Sequence, residues 1–283
     1  MQERGRSALL FVPPLVVIVI LGGWWITLAV IALTIVAGIE AFRLLKLAGY
    51  PALPWLGLAI AVAIVIDAAV PTILAGSGAI LAAIGIVLAA AGSFTRIDPR
   101  DGLNAWVGTV FGALYVGLLA FVVRLGAGAP AIPAGAPFEV LGGERTWVTI
   151  LILAVWAYDT GAYLVGRTWG ARFGQLIGRE RFLEHISPSK TYAGLLGGLV
   201  ATTIVVLLGL WAAGQPVLAG FILGPLVGLA AQCGDLAESM LKRAAGAKSS
   251  SDLIPGHGGV LDRVDSFLLA APVMTLFVLT FLR

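Results

Sequence analysis

Apolar runs of about 20 residues, broken only by short charged or Gly/Pro-rich segments, recur from one end of this 283-residue chain to the other. No other feature restricts the fold as much. In hydrocarbon every backbone N–H and C=O must be satisfied, and a helix does so within its own segment. A barrel strand would alternate polar and apolar residues, which these runs do not. Hydrophobic residues make up 59% of the chain and charged residues 12%, against about 25% charged in soluble domains, and the mean hydropathy is +1.01. The fold class expected is all-α, a polytopic transmembrane helical protein.

Charges, prolines and glycines divide the chain into about nine spans, near 8–21, 23–41, 52–70, 72–93, 105–124, 147–165, 192–213, 216–237 and 262–282. Arg4 and Arg6 before the first run resemble a signal peptide, but no small-residue cleavage site follows, so a retained span is expected. With the N-terminus inside, only Arg124, Arg145 and Arg283 of the eighteen basic residues fall outside. The positive-inside rule then places the other fifteen in the cytoplasm, which requires an odd number of spans. Three regions follow: an N-terminal transmembrane region over 1–126, an outer connector rich in Gly and Pro over 127–146, and a C-terminal transmembrane region over 147–283 that carries the chemistry. The single cysteine, Cys233, excludes an intrachain disulfide and is expected to be a small buried apolar residue. A net charge of +3 gives no reason to expect nucleic acid as a partner.

Polar residues gather in three places after residue 155, each at or near the cytoplasmic end of a span. The first is Tyr158-Asp159-Thr160-Gly161-Ala162-Tyr163. An ionisable residue inside a span costs about 2.5 to 3.5 kcal/mol on insertion scales, so Asp159 is a candidate for substrate contact, with simple packing as the plainer alternative. The second is the loop from Arg179, which ends in Ser187-Pro188-Ser189-Lys190-Thr191 just before a span. Hydroxyls and a lysine at a helix N-terminus suit an anion, which makes Ser187, Lys190 and Thr191 candidates for phosphate or nucleotide. The plainer reading is a basic loop that sets topology or touches anionic lipid.

The third place is the most informative. Asp235, Glu238, Ser239 and Lys242, at i, i+3, i+4 and i+7, share one helix face. After Lys242-Arg243 and a Ser-rich turn come His257-Gly258-Gly259, whose glycines let the backbone approach a ligand closely. Asp262, Asp265 and Ser266 then open the last span, and the two acids alone would read as helix capping. Capping leaves Asp235 and the glycine loop unexplained. Carboxylates among lysines and arginines suit Mg²⁺, which binds through one or two carboxylates together with substrate phosphates. Two histidines and one cysteine show no zinc spacing, so His257 is expected to meet phosphate or ribose.

The segment Gly234-Asp235-Leu236-Ala237-Glu238-Ser239-Met240-Leu241-Lys242-Arg243, then Lys248, then Leu253 through Ser266 with Pro255-Gly256-His257-Gly258-Gly259 and Asp262-Arg263-Val264-Asp265, resembles the signature of the phosphatidate cytidylyltransferase, or CDP-diacylglycerol synthase, family. The motifs Asp159-Thr160-Gly161-Ala162-Tyr163 and Ser187-Pro188-Ser189-Lys190-Thr191 are similar to that family's upstream motifs. The resemblance implies an enzyme of the bacterial inner membrane that condenses CTP with phosphatidate, using Mg²⁺, to give CDP-diacylglycerol and pyrophosphate. It implies Asp235 and Asp262 as metal ligands with Asp265 beside them. It also implies a homodimer in membrane lipid that can hold a second, monovalent cation such as K⁺. Lys242, Arg243, Lys248 and Arg263 are then expected on phosphates, with Ser239, Gly258 and Gly259 lining the substrate site. In one departure the family's Lys-Asp is Lys248-Ser249 here, and Asp252 is the nearest acid to replace the missing one.

Two rival readings remain: a CTP-dependent lipid kinase of the polyprenol class, which would release CDP, and a cation-coupled transporter using Asp159 and Asp235. The transporter reading leaves the glycine loop without a role, and no inverted repeat supports it.

Overall fold

The computed structural model describes residues 2–70, 78–253 and 258–282. Ten α-helices account for most of it: α1 (Gln2–Leu21), α2 (Trp24–Leu47), α3 (Pro54–Ala69), α4 (Gly78–Ser93), α5 (Pro99–Gly117), α6 (Ala120–Gly128), α7 (Gly142–Ile177), α8 (Tyr192–Ala212), α9 (Gly220–Ala244) and α10 (Leu261–Phe281). Among the described residues the only strand-like pairing is an isolated bridge between Arg181 and Thr191. The all-helical expectation is met.

Among the described residues six helical segments are long and apolar enough to cross a membrane: Trp24–Leu47, Pro99–Gly128, Glu139–Ile177, Tyr192–Ala212, Val217–Ala244 and Leu261–Phe281. The chain is therefore an integral membrane protein. The other three expected spans fall on shorter apolar helices, Val12–Leu21, Pro54–Ala69 and Ile80–Ser93. At 1.5 Å per residue, the 16 residues of α3 reach about 24 Å, short of the roughly 30 Å hydrocarbon core.

Helix α7 departs most from the expected boundaries. It runs for 36 residues, roughly 54 Å, and continues well past residue 165, where the sequence suggested that the span ends. Arginines favour helix, and the stop comes at Gly178, whose φ of +74° is the left-handed conformation that ends many helices. Cys233 is exposed on α9 rather than buried. A small apolar side chain is equally at home on the lipid side of a spanning helix, so its composition gave no guide to its facing.

The chain forms two compact units, one made of Met1–Arg124 with Met240–Leu268 and the other of Leu125–Ser239 with Leu269–Arg283. In the first, α2, α3 and α5 pack on one another and α4 packs on α3 and α5. The ring of Phe42 fills the space beside two glycines, and a Cβ would lie 2.2 Å from it at Gly57 on α3 and 2.4 Å from it at Gly112 on α5. That contact fixes the rotation of α2 and hence the direction of its other side chains.

In the second unit α7 and α8 approach until their backbones nearly touch. A Cβ at Gly161 would stand 2.7 Å from the carbonyl oxygen of Gly197, and one at Gly197 would stand 2.9 Å from that of Gly161. Small residues that let backbones meet are the common device for helix association in lipid. The hydroxyl of Thr202 adds a buried hydrogen bond to the carbonyl of Ala154, at 3.2 Å.

Candidate active site

In the second unit one group of candidate residues stands on α9 and on the loop that leads into α8. The loop 178–191 folds back on itself: the Phe182 amide donates to the Lys190 carbonyl, and the Tyr192 amide to that of Glu180. The side chain of Thr191 caps α8 by accepting from the Gly194 amide at 3.0 Å. Thr191 is thus engaged in capping, and Ser187 is buried. Lys190 projects from this brace and forms an ion pair with Asp235 of α9. Ser239, one turn further along α9, donates to the other oxygen of Asp235 at 3.3 Å.

One turn back from Asp235, Gln232 is buried and accepts from the hydroxyl of Tyr158 at 2.7 Å. The Tyr158 ring lies against Gly198, where a Cβ would come within 2.6 Å of it. This contact ties α7, α8 and α9 together and sets the rotation of α9 that turns Asp235 toward Lys190. Asp159 and Thr160 are exposed, while Gly161 of the same motif serves the helix contact. Glu238 is fully buried.

In the first unit a separate group of candidate residues surrounds Asp262, in the first turn of α10. Its Oδ2 accepts three hydrogen bonds, from the amide of Gly259 at 2.8 Å, the amide of Ser250 at 3.0 Å and the hydroxyl of Ser250 at 2.7 Å. Its Oδ1 accepts from Lys242 at 2.6 Å, with both side chains largely buried. The loop passes so close that a Cβ at Gly258, whose φ is +79°, would lie 2.6 Å from Asp262 Oδ2. A Cβ at Gly259 would lie 2.1 Å from the hydroxyl of Ser250. The two glycines let the chain close on carboxylates of its own. Asp265 accepts from the Ser266 amide at 2.6 Å. Arg243, Lys248 and Arg263 are exposed. His257 lies outside the described residues.

Glu40 is the residue that the sequence reading missed. It lies in α2, 5% exposed, and its carboxylate faces four donor groups of the segment around Asp262, one of them the Ser250 hydroxyl that Asp262 shares. An acid at the end of a long apolar run, ahead of Arg43 and Lys46, is a signal by itself, because such residues are costly in a membrane and need a partner.

Both lysine–carboxylate pairs are electrically neutral as they stand. A site for two anionic phosphates gains nothing from bare carboxylates unless these also hold a cation. Asp262 suits that role: three donors pin Oδ2, and Oδ1 already faces positive charge. Asp235 likewise directs an oxygen at an ammonium group. Among the described residues no cluster of three or more His, Cys, Asp or Glu side chains is poised to hold a metal. Mg²⁺ needs no such cluster, because phosphates and water complete its coordination. Taken singly, each of the two carboxylates is an oxygen donor of the kind a hard divalent ion takes.

Fold and site define a helical membrane protein with lysine–aspartate pairs suited to phosphate chemistry. The chain belongs to the cytidylyltransferase family, whose model matches residues 2–281. It is 34% identical to a phosphatidate cytidylyltransferase of Synechocystis over 304 aligned residues, covering 99% of this chain and 97% of the relative. It is 38% identical to a phosphatidate cytidylyltransferase of Staphylococcus aureus over 144 residues, which cover 50% of this chain and 52% of the relative. A chloroplastic phosphatidate cytidylyltransferase of Arabidopsis thaliana is 38% identical over 189 residues, covering 62% of this chain and 46% of the relative.

Proposed function

We propose that this chain is a phosphatidate cytidylyltransferase, an enzyme of phospholipid synthesis that converts CTP and phosphatidate to CDP-diacylglycerol and pyrophosphate. The observation that carries the reading is the match to the Synechocystis relative along nearly the whole length of both chains. The lysine–aspartate pairs support it with chemistry of the right kind.

A phosphate oxygen of phosphatidate attacks the α-phosphorus of CTP, the bond from that phosphorus to the bridging oxygen breaks, and pyrophosphate leaves with the electron pair. A phosphomonoester has a second pKa of about 6 and is mostly ionised at neutral pH, so the nucleophile needs no strong base. The barrier is the meeting of two anions, and charge neutralisation with in-line positioning lowers it. Asp235 and Asp262 are the proposed Mg²⁺ ligands, and the ion supplies charge neutralisation and orientation of phosphate oxygens. Lys190 and Lys242 exchange their carboxylate partners for substrate phosphates. Arg243, Lys248 and Arg263 add positive charge around them, and Ser187, Ser239, Gly258 and Gly259 line the substrate.

CTP arrives from water and phosphatidate from the leaflet, so the proposed site opens to both at the cytoplasmic boundary of a bacterial inner membrane. Nine spans with the N-terminus inside would put the basic residues on that side. A homodimer, and a second cation such as K⁺, complete the proposal.

The test incubates purified protein with CTP, phosphatidate and Mg²⁺ and measures both products. Pyrophosphate and CDP-diacylglycerol in equal amounts are expected. Release of CDP with a newly phosphorylated lipid would instead mark a lipid kinase.

A further inference from the structure

We infer that Glu40 is a positioning residue for the reacting site, holding Asp262 in place through Ser250 and the first amides of α10. The inference rests on the reaction proposed above for Asp262 and deepens it. Oε1 of Glu40 accepts from the Ser251 hydroxyl at 2.5 Å and the Val260 amide at 3.1 Å. Oε2 accepts from the Leu261 amide at 2.7 Å and shares with Asp262 the single proton of the Ser250 hydroxyl, 2.9 Å away. Three donors of its own, with the shared Ser250 proton beside them, supply what a carboxylate needs in order to remain buried.

Two features separate this arrangement from an ordinary helix cap. A cap needs one acceptor close in sequence, such as a Ser or Asp at the residue before the helix. Here that residue is Val260, and the acceptor comes from α2, 221 residues before Leu261. Secondly, Ser250 ties the two carboxylates together, since its hydroxyl lies 2.9 Å from Glu40 and 2.7 Å from Asp262 while its amide also donates to Asp262. Gly259, between them, has no room for a Cβ, which would fall 2.4 Å from Glu40 Oε2. Glu40 therefore fixes both the loop that donates to Asp262 and the helix that carries it. Its negative charge also lies at the positive end of the 21-residue α10.

The experiment compares wild type with Glu40→Ala, Glu40→Gln, Ser250→Ala and the double variant Glu40→Ala/Ser250→Ala. Turnover is read with CTP and phosphatidate, and amide hydrogen exchange is read over 249–264. Glu40→Ala is expected to lower kcat roughly 10- to 100-fold, the usual effect of losing a partner behind a metal-binding side chain. The KM for phosphatidate is expected to stay unchanged. Glu40→Gln keeps the shape and one acceptor oxygen, so it should recover part of the loss. The double variant should be no slower than Glu40→Ala, because both changes cut one chain of contacts. Exchange at Gly259, Val260 and Leu261 should rise while α2 stays protected.

Wild-type kcat in Glu40→Ala, or losses that multiply in the double variant, would overturn the inference. If Glu40→Ala fails to fold, unchanged exchange and turnover in Glu40→Gln overturn it equally. Absence of product from the wild type would refute the proposed reaction, and the exchange pattern would still decide whether Glu40 holds the loop.

Discussion

The backbone amide of Leu261 donates to the carboxylate of Glu40 at 2.7 Å across 221 residues of sequence. Through that bond the last helix of the chain begins on a side chain of the second. The region that looks chemically bland in sequence therefore helps to build the loop that carries the family's signature. The same carboxylate receives the hydroxyls of Ser250 and Ser251, just beyond the position where Ser249 replaces the family's usual acid.

Asp262 is the residue on which most donors converge, so Asp262→Asn is the sharpest probe of its charge. Asparagine can keep an acceptor toward the Gly259 and Ser250 amides, but it offers Lys242 no negative partner. Turnover is expected to drop to near background, with the detergent-purified protein still monodisperse on size exclusion. Asp235→Asn should do the same, and no increase in Mg²⁺ should restore either variant. Substantial activity in both would return these acids to packing and capping.

Lys190 stands on a loop braced by two backbone hydrogen bonds and meets Asp235 directly. If its ammonium group moves to a substrate phosphate, Lys190→Met removes a charged donor present when the reaction occurs. Loss of one such donor costs roughly 100-fold in turnover. Steady-state kinetics with CTP as the varied substrate should show a fall of that order in kcat/KM. Lys190→Arg should recover little, because the longer planar group does not fit the same pairing.

Gly259 is enclosed by Ser250 and Glu40, whose polar atoms would sit 2.1 to 2.5 Å from an added Cβ. Those atoms are held by hydrogen bonds and cannot move away freely. Overpacking of this kind costs about 1 to 3 kcal/mol. Gly259→Ala is therefore expected to lower the thermal midpoint by a few degrees and to reduce turnover more than Gly102→Ala. At Gly102 the nearest atom to an added Cβ is 3.3 Å away.

The sequence made the helical class legible because lipid leaves the backbone few alternatives, and long apolar runs report that restriction directly. It also marked Asp235, Lys242 and Asp262, because charge at the end of an apolar run stands out. It did not reveal which acid meets which lysine. The i, i+7 spacing of Asp235 and Lys242 puts them on one helix face but says nothing of their partners, which are Lys190 for Asp235 and Asp262 for Lys242. Pairings of this kind depend on helix rotation, set by contacts such as Phe42 against Gly57 and Tyr158 against Gly198. Glu40 stayed hidden for the same reason: its partners lie more than 200 residues away, and no local pattern encodes them.

Asp252 offers a control. The sequence left it as the nearest replacement for the acid missing at Ser249, but it is exposed, while Ser250 and Ser251 on the same turn are engaged by Glu40. Asp252→Ala should therefore leave turnover within about twofold of wild type, as surface changes usually do. A large loss of turnover in this variant would reassign the missing acid to Asp252.

The α7–α8 contact can be tested without reference to activity. Gly197 meets Val165, whose Cβ would lie 2.4 Å from an added Cβ, and the backbone carbonyl of Gly161 at 2.9 Å. Neither can turn aside as a flexible side chain would, so Gly197→Val has to push the helices apart. That separation weakens the buried bond from Thr202 to Ala154 and loosens the Tyr158 contact at Gly198. The expected result is a drop of several degrees in the thermal midpoint in detergent, since a change of about 1 to 3 kcal/mol is large beside the stability of most proteins. An unchanged midpoint would show that the helices do not meet backbone to backbone, and the orientation of Asp235 would then need another origin.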